Sequence, residues 1–278
     1  MLSTVSELSR AALEIKTELL TLCAEKSIHI GGDLSVADVM TVLWQYQMKY
    51  NPQNPEDPNR DRFILSKGHA AAVTSLNQAA IGCFRKEDFF REYATNGGRF
   101  SMHSCKLVNP FVEVSTGSLG HGLSIGAGIA AGLRRKGNTQ NRVYVVMGDG
   151  EQGEGSVWEA AMHAAHYRLG NLIAIVDCNG READGPVAEL TGLGDVAEKY
   201  RAFGWRAAEI DGHSIPQIKA AFDALASPEA EQPTVIVAHT VKGHGVSFME
   251  NDVNWHAGRL TREQYDQAMK EIREKAGL

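Results

Sequence analysis

Four apolar-rich runs limit what this chain can fold into more tightly than any other feature: VYVVMG (143–148), NLIAIVD (171–177), WRAAEI (205–210) and PTVIVAHT (233–240). A strand with one wet face alternates polar and apolar residues, whereas a continuous apolar run needs cover on both faces. The stretches near 155–169, 193–203 and 214–226 have helical character. This βαβ rhythm predicts an α/β fold, a predominantly parallel sheet covered by helices on both faces. With 278 residues and 43% hydrophobic content, the chain has the size and core material of one large domain, 1–278. Ligands of such sheets bind beyond the carboxyl ends of the strands, so those ends are where chemistry is expected.

Ahead of the sheet, Leu8, Ala12, Ile15, Leu19 and Leu22 recur at helical spacing and predict a helix over 5–26. A second helix is expected over about 35–48 with Ser35 as its cap. The proline- and asparagine-rich NPQNPEDPNRDR (51–62) reads as a surface loop, followed by FILSKGHA, a short strand running into a turn. GSLGHGLSIGAGIAAGL (117–133) carries small residues at nearly every position, which predicts a helix packed very closely on a neighbour or ligand, a candidate subunit interface. The TREQYDQAMKEIREKAG stretch predicts a last helix capped by Thr261 with Glu263.

The 28 basic and 34 acidic residues give a net charge of -6, with both signs mixed along the chain, which excludes a nucleic-acid surface. Cys23, Cys83, Cys105 and Cys178 form no CxxC pair, so they read as free thiols rather than zinc ligands or a disulfide framework. The N-terminal MLSTVSELSRAALEIKTELL mixes charges into its apolar positions and fits neither a secretory signal nor a membrane span. A cytoplasmic protein without membrane or nucleic-acid partners is expected.

The strand VYVVMG runs into Gly148-Asp149-Gly150. A carboxylate between two glycines at a strand end lets the backbone approach a phosphate while Asp149 holds a hard divalent cation. Alone this is a common Asp-Gly turn. The next run ends at Asn179, with 28 residues between it and Gly150, and two consecutive parallel strands would set Asp149 and Asn179 side by side. Asp and Asn oxygens, one backbone carbonyl and two phosphate oxygens make the octahedral environment that Mg²⁺ prefers on a diphosphate. GAGIAAG (126–132) superficially matches a dinucleotide fingerprint, but it follows no strand and lacks the acidic residue about 20 positions on.

This GDG-x28-N arrangement resembles the thiamine diphosphate signature, in which the backbone carbonyl two residues past the Asn, here Arg181, completes the metal's ligands. SIHIGG (27–32), SKGH (66–69), FSMHS (100–104), GSLGHG (117–122) and KGHGVSFMENDVNWHAG (242–258) follow in the order of similar motifs in transketolases. Over essentially its whole length the chain resembles their N-terminal, diphosphate-binding domain. The resemblance implies thiamine diphosphate and Mg²⁺ as cofactors, with Asp149, Asn179 and Arg181 as metal ligands. It places His69 and His256 on the diphosphate, and Gly148 and Gly150 beside it. Gly117 and Leu119 would lie against the cofactor's rings. Glu154 would border the cofactor and link active sites across a dimer. His29 and His103 would be the catalytic residues that hydrogen-bond the sugar. Ile28 and Ile30 replace the small residue and proline that flank this first His in the family, and Ser118 replaces a proline. His121, where the family carries Gln, receives no role, and His163, His166, His213, His239 and His244 read as solvated or structural.

The family's pyrimidine-binding and C-terminal domains, and the glutamate that activates the aminopyrimidine, match nothing in these residues. The resemblance therefore implies one subunit of a split transketolase, moving a two-carbon ketol unit from a ketose or ketose phosphate to an aldose or aldose phosphate. A separate chain would carry the pyrimidine domain, the activating glutamate and the sugar-specificity residues, and two such pairs would form a heterotetramer. The alternatives are a 1-deoxyxylulose-5-phosphate synthase-like enzyme, an α subunit of a 2-oxo-acid dehydrogenase, and a non-catalytic thiamine diphosphate-binding module.

Overall fold

The computed structural model describes residues 2–276. Its centre is a five-stranded sheet of β1 (Arg62–Leu65), β2 (Val143–Gly148), β3 (Leu172–Cys178), β4 (Arg206–Asp211) and β5 (Thr234–His239), in the order β1-β2-β3-β5-β4. Every pairing is parallel, as the apolar runs require. Alternate residues of each strand feed different cores. Tyr144, Val146, Ile173 and Ile175 face one that includes α1 (Val5–Glu25), α2 (Ile30–Val42), α3 (Ala71–Ala80), α4 (Lys86–Glu92), α9 (Ile215–Asp223) and α10 (Arg262–Lys275). Val143, Val145, Ala174 and Val176 face the other, with α5 (Gly122–Arg135), α6 (Gly155–His166) and α8 (Val196–Ala202). A short α7 (Val187–Leu190) follows the β3 loop. Among the described residues no helix is long and apolar enough to cross a membrane.

Three expectations need correction. The second helix starts at Ile30, five positions before Ser35, and ends in a π-helical turn, Leu43–Gln47. Ser35 is not its cap but lies inside it, donating to the Gly32 carbonyl at 3.0 Å and to Asp177 Oδ2 at 2.6 Å. Every residue of α2 is buried, so no polar face marks its start, and Gly31 serves close packing rather than a turn. A Cβ there would stand 2.6 Å from the Trp255 carbonyl oxygen. The small-residue segment divides, with a turn over 117–121 and the helix only from Gly122. Gly120 adopts φ +86, which disfavours any side chain, while a Cβ on Gly126 would meet Val145 at 2.5 Å, the close helix-on-strand contact expected of this stretch. In α10 the partner of Thr261 in the capping box is Gln264 at the third helical position, not Glu263.

Candidate functional site

The ends of β2 and β3 lie side by side because Gly148 pairs with Asp177 in the ladder. The chain beyond each end therefore rises into the same space, and Asp149 and Asn179 border one cavity of about 340 Å³. Asp149 Oδ1 accepts from Gly150 N at 2.9 Å and Oδ2 from Gly180 N at 2.5 Å. The carboxylate is thus fixed across the gap between the two strands, with lone pairs to spare. Burial and the neighbouring Asp177 charge push Asp149 up to about 6, a strained state for a carboxylate that a cation would relieve. Asn179 is oriented from both sides. Its Nδ2 donates to Asp177 Oδ2 at 3.1 Å, and its Oδ1 accepts from Arg181 N at 3.0 Å.

Asp177 is the hub beneath this floor. Its carboxylate accepts from the buried Ser35 and Asn179 and the half-buried Thr240 and pairs with the buried Lys67 ammonium. Burial acts to raise Asp177, but the charge and hydrogen bond of Lys67 outweigh it and hold the carboxyl below its usual range. Glu151 does similar work under the glycine turn. It accepts from Gly120 N at 2.8 Å, from Gly148 N at 3.1 Å and from the Ser66 hydroxyl. Burial nonetheless raises its affinity for a proton.

The wall is made of histidines from separate segments. His29 precedes α2 and His69 precedes α3, whereas His103 and His256 come from long loops. The His29 ring lies 5.2–5.5 Å from those of His69, His103 and His256, and His69 and His256 are 5.4 Å apart. Burial, then the charges of His256, His103 and Lys242, bring His29 down to about 4. Burial and the lysines Lys242 and Lys67 bring His256 down to about 4, and burial and Lys67 carry His69 well below its usual value. At neutral pH these three rings are uncharged, each with one N–H donor and one acceptor nitrogen. His29 Nδ1 is buried with no hydrogen-bond partner among the described residues.

The buried positive charge of the site comes from Lys67 and Lys242, 1% and 3% exposed. Lys242 Nζ donates to the Glu182 carbonyl at 2.8 Å and lies 3.1 Å from His256 Nδ1. Burial and the charge of Lys67 lower it to about 8. Sequence reasoning missed both lysines, although they stand inside the SKGH and KGHG segments, and it missed Asp177 and Glu151 as supports. The signal for Lys67 is a lysine beside a glycine at the end of an apolar strand. A cation there needs a buried anion, and only the fold supplies it.

All the residues expected at the site line this cavity. His29, His69, His103 and His256 share it with Gly117, Leu119, Glu154, Gly148, Asp149, Gly150, Asn179 and Arg181. His121 does not; it is exposed and immediately precedes α5. A Cβ on Gly117 would come 3.3 Å from the His103 ring, whereas Gly148 and Gly180 have open space where a side chain would stand. Open glycine backbone, two buried cations, an orphaned imidazole nitrogen and a rigid carboxylate–amide pair form a donor set suited to a metal diphosphate.

Residues 18–278 match the family model "Transketolase, thiamine diphosphate binding domain". The chain belongs to the transketolase family. Among its relatives, a subunit of the apulose-4-phosphate transketolase of Phocaeicola vulgatus is 40% identical over 252 residues, covering 90% of this chain and 88% of that protein. A subunit of the 6-deoxy-6-sulfo-D-fructose transketolase of Clostridium sp. is 36% identical, covering 90% and 89%. The transketolase from Leishmania mexicana superposes with a TM-score of 0.84 at 29% identity, over 100% of this chain and 42% of that one. The transketolase from Campylobacter jejuni gives 0.85 at 26% identity over 99% and 43%. The chain thus corresponds to the thiamine diphosphate-binding part of the family, at about two fifths the length of these solved transketolases.

Proposed function

We propose that this chain is the diphosphate-holding subunit of a two-chain transketolase, and that it transfers a two-carbon ketol unit from a ketose phosphate to an aldose phosphate only together with a second chain. The observation that carries this proposal is the single cavity in which Asp149 and Asn179 meet the histidines His29, His69, His103 and His256 together with Lys67 and Lys242. In this reading Asp149, Asn179 and the Arg181 carbonyl hold Mg²⁺. Lys67, Lys242, His69 and His256 face the diphosphate, with Gly148 and Gly150 beside it. Gly117 and Leu119 border the rings, and Glu154 stands next to them toward a dimer partner. Thiamine diphosphate, when bound, supplies the carbon nucleophile for ketol transfer.

The chain's own residues would bind, orient and move protons. His29 and His103 each carry an imidazole that can donate to a sugar oxygen, and a donor aimed at a developing oxyanion lowers the barrier to its formation. The two-chain arrangement is supported by relatives of similar length that are themselves named as subunits. Their names also favour a ketose carrying an anionic terminal group. The activating glutamate and the sugar's anion-binding residues would come from the second chain, and two pairs would form a heterotetramer.

The experiment is a ketose-to-aldose transfer assay with Mg²⁺ and thiamine diphosphate. The purified chain should be silent and should gain activity when a chain carrying the pyrimidine domain is added. Robust turnover by the chain alone would refute the split site.

A further inference from the structure

A second, half-buried polar cluster around the buried Asp38 lies behind the wall, where α1, α2 and α10 meet the turns after β4 and β5. It borders its own cavity of about 240 Å³. His213, in the turn after β4, sets its Nδ1 3.1 Å from Asp38 Oδ2, and its Nε2 accepts from Val241 N at 2.9 Å. The Lys16 ammonium reaches the same Asp38 oxygen at 2.7 Å. Burial acts to raise Asp38, but Lys16 and His213 outweigh it and keep the carboxyl below its usual range. A backbone amide can only donate, so His213 Nε2 must carry the lone pair and its single proton sits on Nδ1, facing the Asp38 carboxylate. The ionised carboxylate thereby selects the tautomer that can hold Val241.

Asp38, His213 and His244 also place metal-ligating atoms within 4.8 Å of one another. A metal is not what this arrangement serves. The His213 and His244 rings stack with centroids 3.4 Å apart and planes 12° from parallel, so their lone pairs lie in separate planes, and both His213 nitrogens are already engaged. What the arrangement does grip is the turn after β5. Val241 is followed directly by Lys242, and Gly243 N donates to the Gly31 carbonyl at 3.0 Å, which ties the same turn to the start of α2.

We infer that His213, oriented by Asp38, is a positioning residue that holds Lys242 against the diphosphate site through the Val241 amide. Resting on the proposed diphosphate site, the inference goes beyond it. It gives a role to a histidine that touches no part of the cavity, and it makes the aim of Lys242 depend on a hydrogen bond formed behind the wall.

The test is a double-mutant cycle read as thiamine diphosphate affinity in the presence of Mg²⁺, measured by calorimetry on the full chain with its partner. Lys242→Ala is the benchmark. His213→Ala should weaken binding roughly three- to tenfold, the range for one lost hydrogen bond. Adding His213→Ala to Lys242→Ala should cost almost nothing further, because the histidine acts through that lysine. His213→Gln, whose carbonyl oxygen can accept from Val241 N, should recover most of the affinity. If His213→Ala does not fold, His213→Leu takes its place in the cycle, with His213→Gln still the rescue. Unchanged affinity in His213→Ala, or losses that simply add with those of Lys242→Ala, would overturn the inference alone. No loss in Lys242→Ala would overturn it together with the diphosphate site on which it rests.

Discussion

The floor and the wall of the cavity are built by opposite means. The floor consists of carboxylates and amides at two strand ends, pinned by backbone N–H groups, with Asp149 raised to about 6 by burial and by the neighbouring Asp177 charge. The wall gathers rings and ammonium groups from distant segments, with His29 and His256 brought down to about 4 and Lys242 to about 8 by burial and, after it, by neighbouring basic groups. Each side is destabilised in the direction that its complement corrects: a cation for the floor, an anion for the wall. Under the proposed function a magnesium diphosphate would supply both at once.

The residue that belongs to both sides should give the largest effect. Lys67 pairs with Asp177 beneath the floor and lies beside His69 in the wall. Lys67→Met keeps the bulk but leaves a buried carboxylate without its cation, which should cost about 3–5 kcal/mol of stability. Thermal or urea unfolding would register this, and a melting profile like that of the unsubstituted chain would separate floor from wall altogether. Next, Asp149→Ala should cut Mg²⁺-dependent cofactor affinity well over tenfold, each tenfold being about 1.4 kcal/mol. Its fold should be preserved, because removing a raised carboxyl also removes a source of strain.

A smaller contrast lies within the wall. Losing His69 should weaken cofactor binding first, and saturating thiamine diphosphate should restore part of the activity. Losing His103 should lower turnover or raise the donor KM while leaving cofactor affinity nearly intact. Identical defects in the reconstituted enzyme would erase the distinction between diphosphate-facing and sugar-facing histidines.

The smallest effect is in pH. If Asp149 holds the metal it must be ionised to do so, and cofactor affinity should then fall as the pH drops through about 6. Diphosphate binding favours a charged Lys242, so affinity should fall again as the pH rises through about 8. The acid limb then reports the floor and the alkaline limb the wall. Lys242→Arg should abolish the alkaline limb alone, since a guanidinium stays charged throughout. An alkaline limb that persists in that variant would move its origin away from Lys242.

The same contrast explains what could be read from the amino-acid sequence. The floor was legible because its spacing is enforced by neighbouring parallel strands, and apolar runs reveal such strands directly. The wall's histidines were legible only through the order of their motifs, since no local pattern brings His103 from a long loop to His29. The start of α2 was not legible, because a helix buried on every side shows no polar face, and glycines at Gly31 and Gly32 look like breakers when they are close contacts. Lys67, Lys242 and Asp177 escaped because a lone charged residue reads as surface until the fold shows its buried partner. His213 read as bland for the same reason: its two hydrogen-bond partners come from α2 and from the turn after β5.

The most direct measurement is a calorimetric titration of thiamine diphosphate into the chain with its partner, with Mg²⁺ and then with the metal chelated away. If floor and wall are complements completed by one metal diphosphate, binding should be tight with Mg²⁺ and should weaken by at least about tenfold without it, with Asp149→Ala already as weak as the chelated protein. Equal affinity with and without the metal, or an Asp149→Ala chain that still responds to Mg²⁺, would contradict the account.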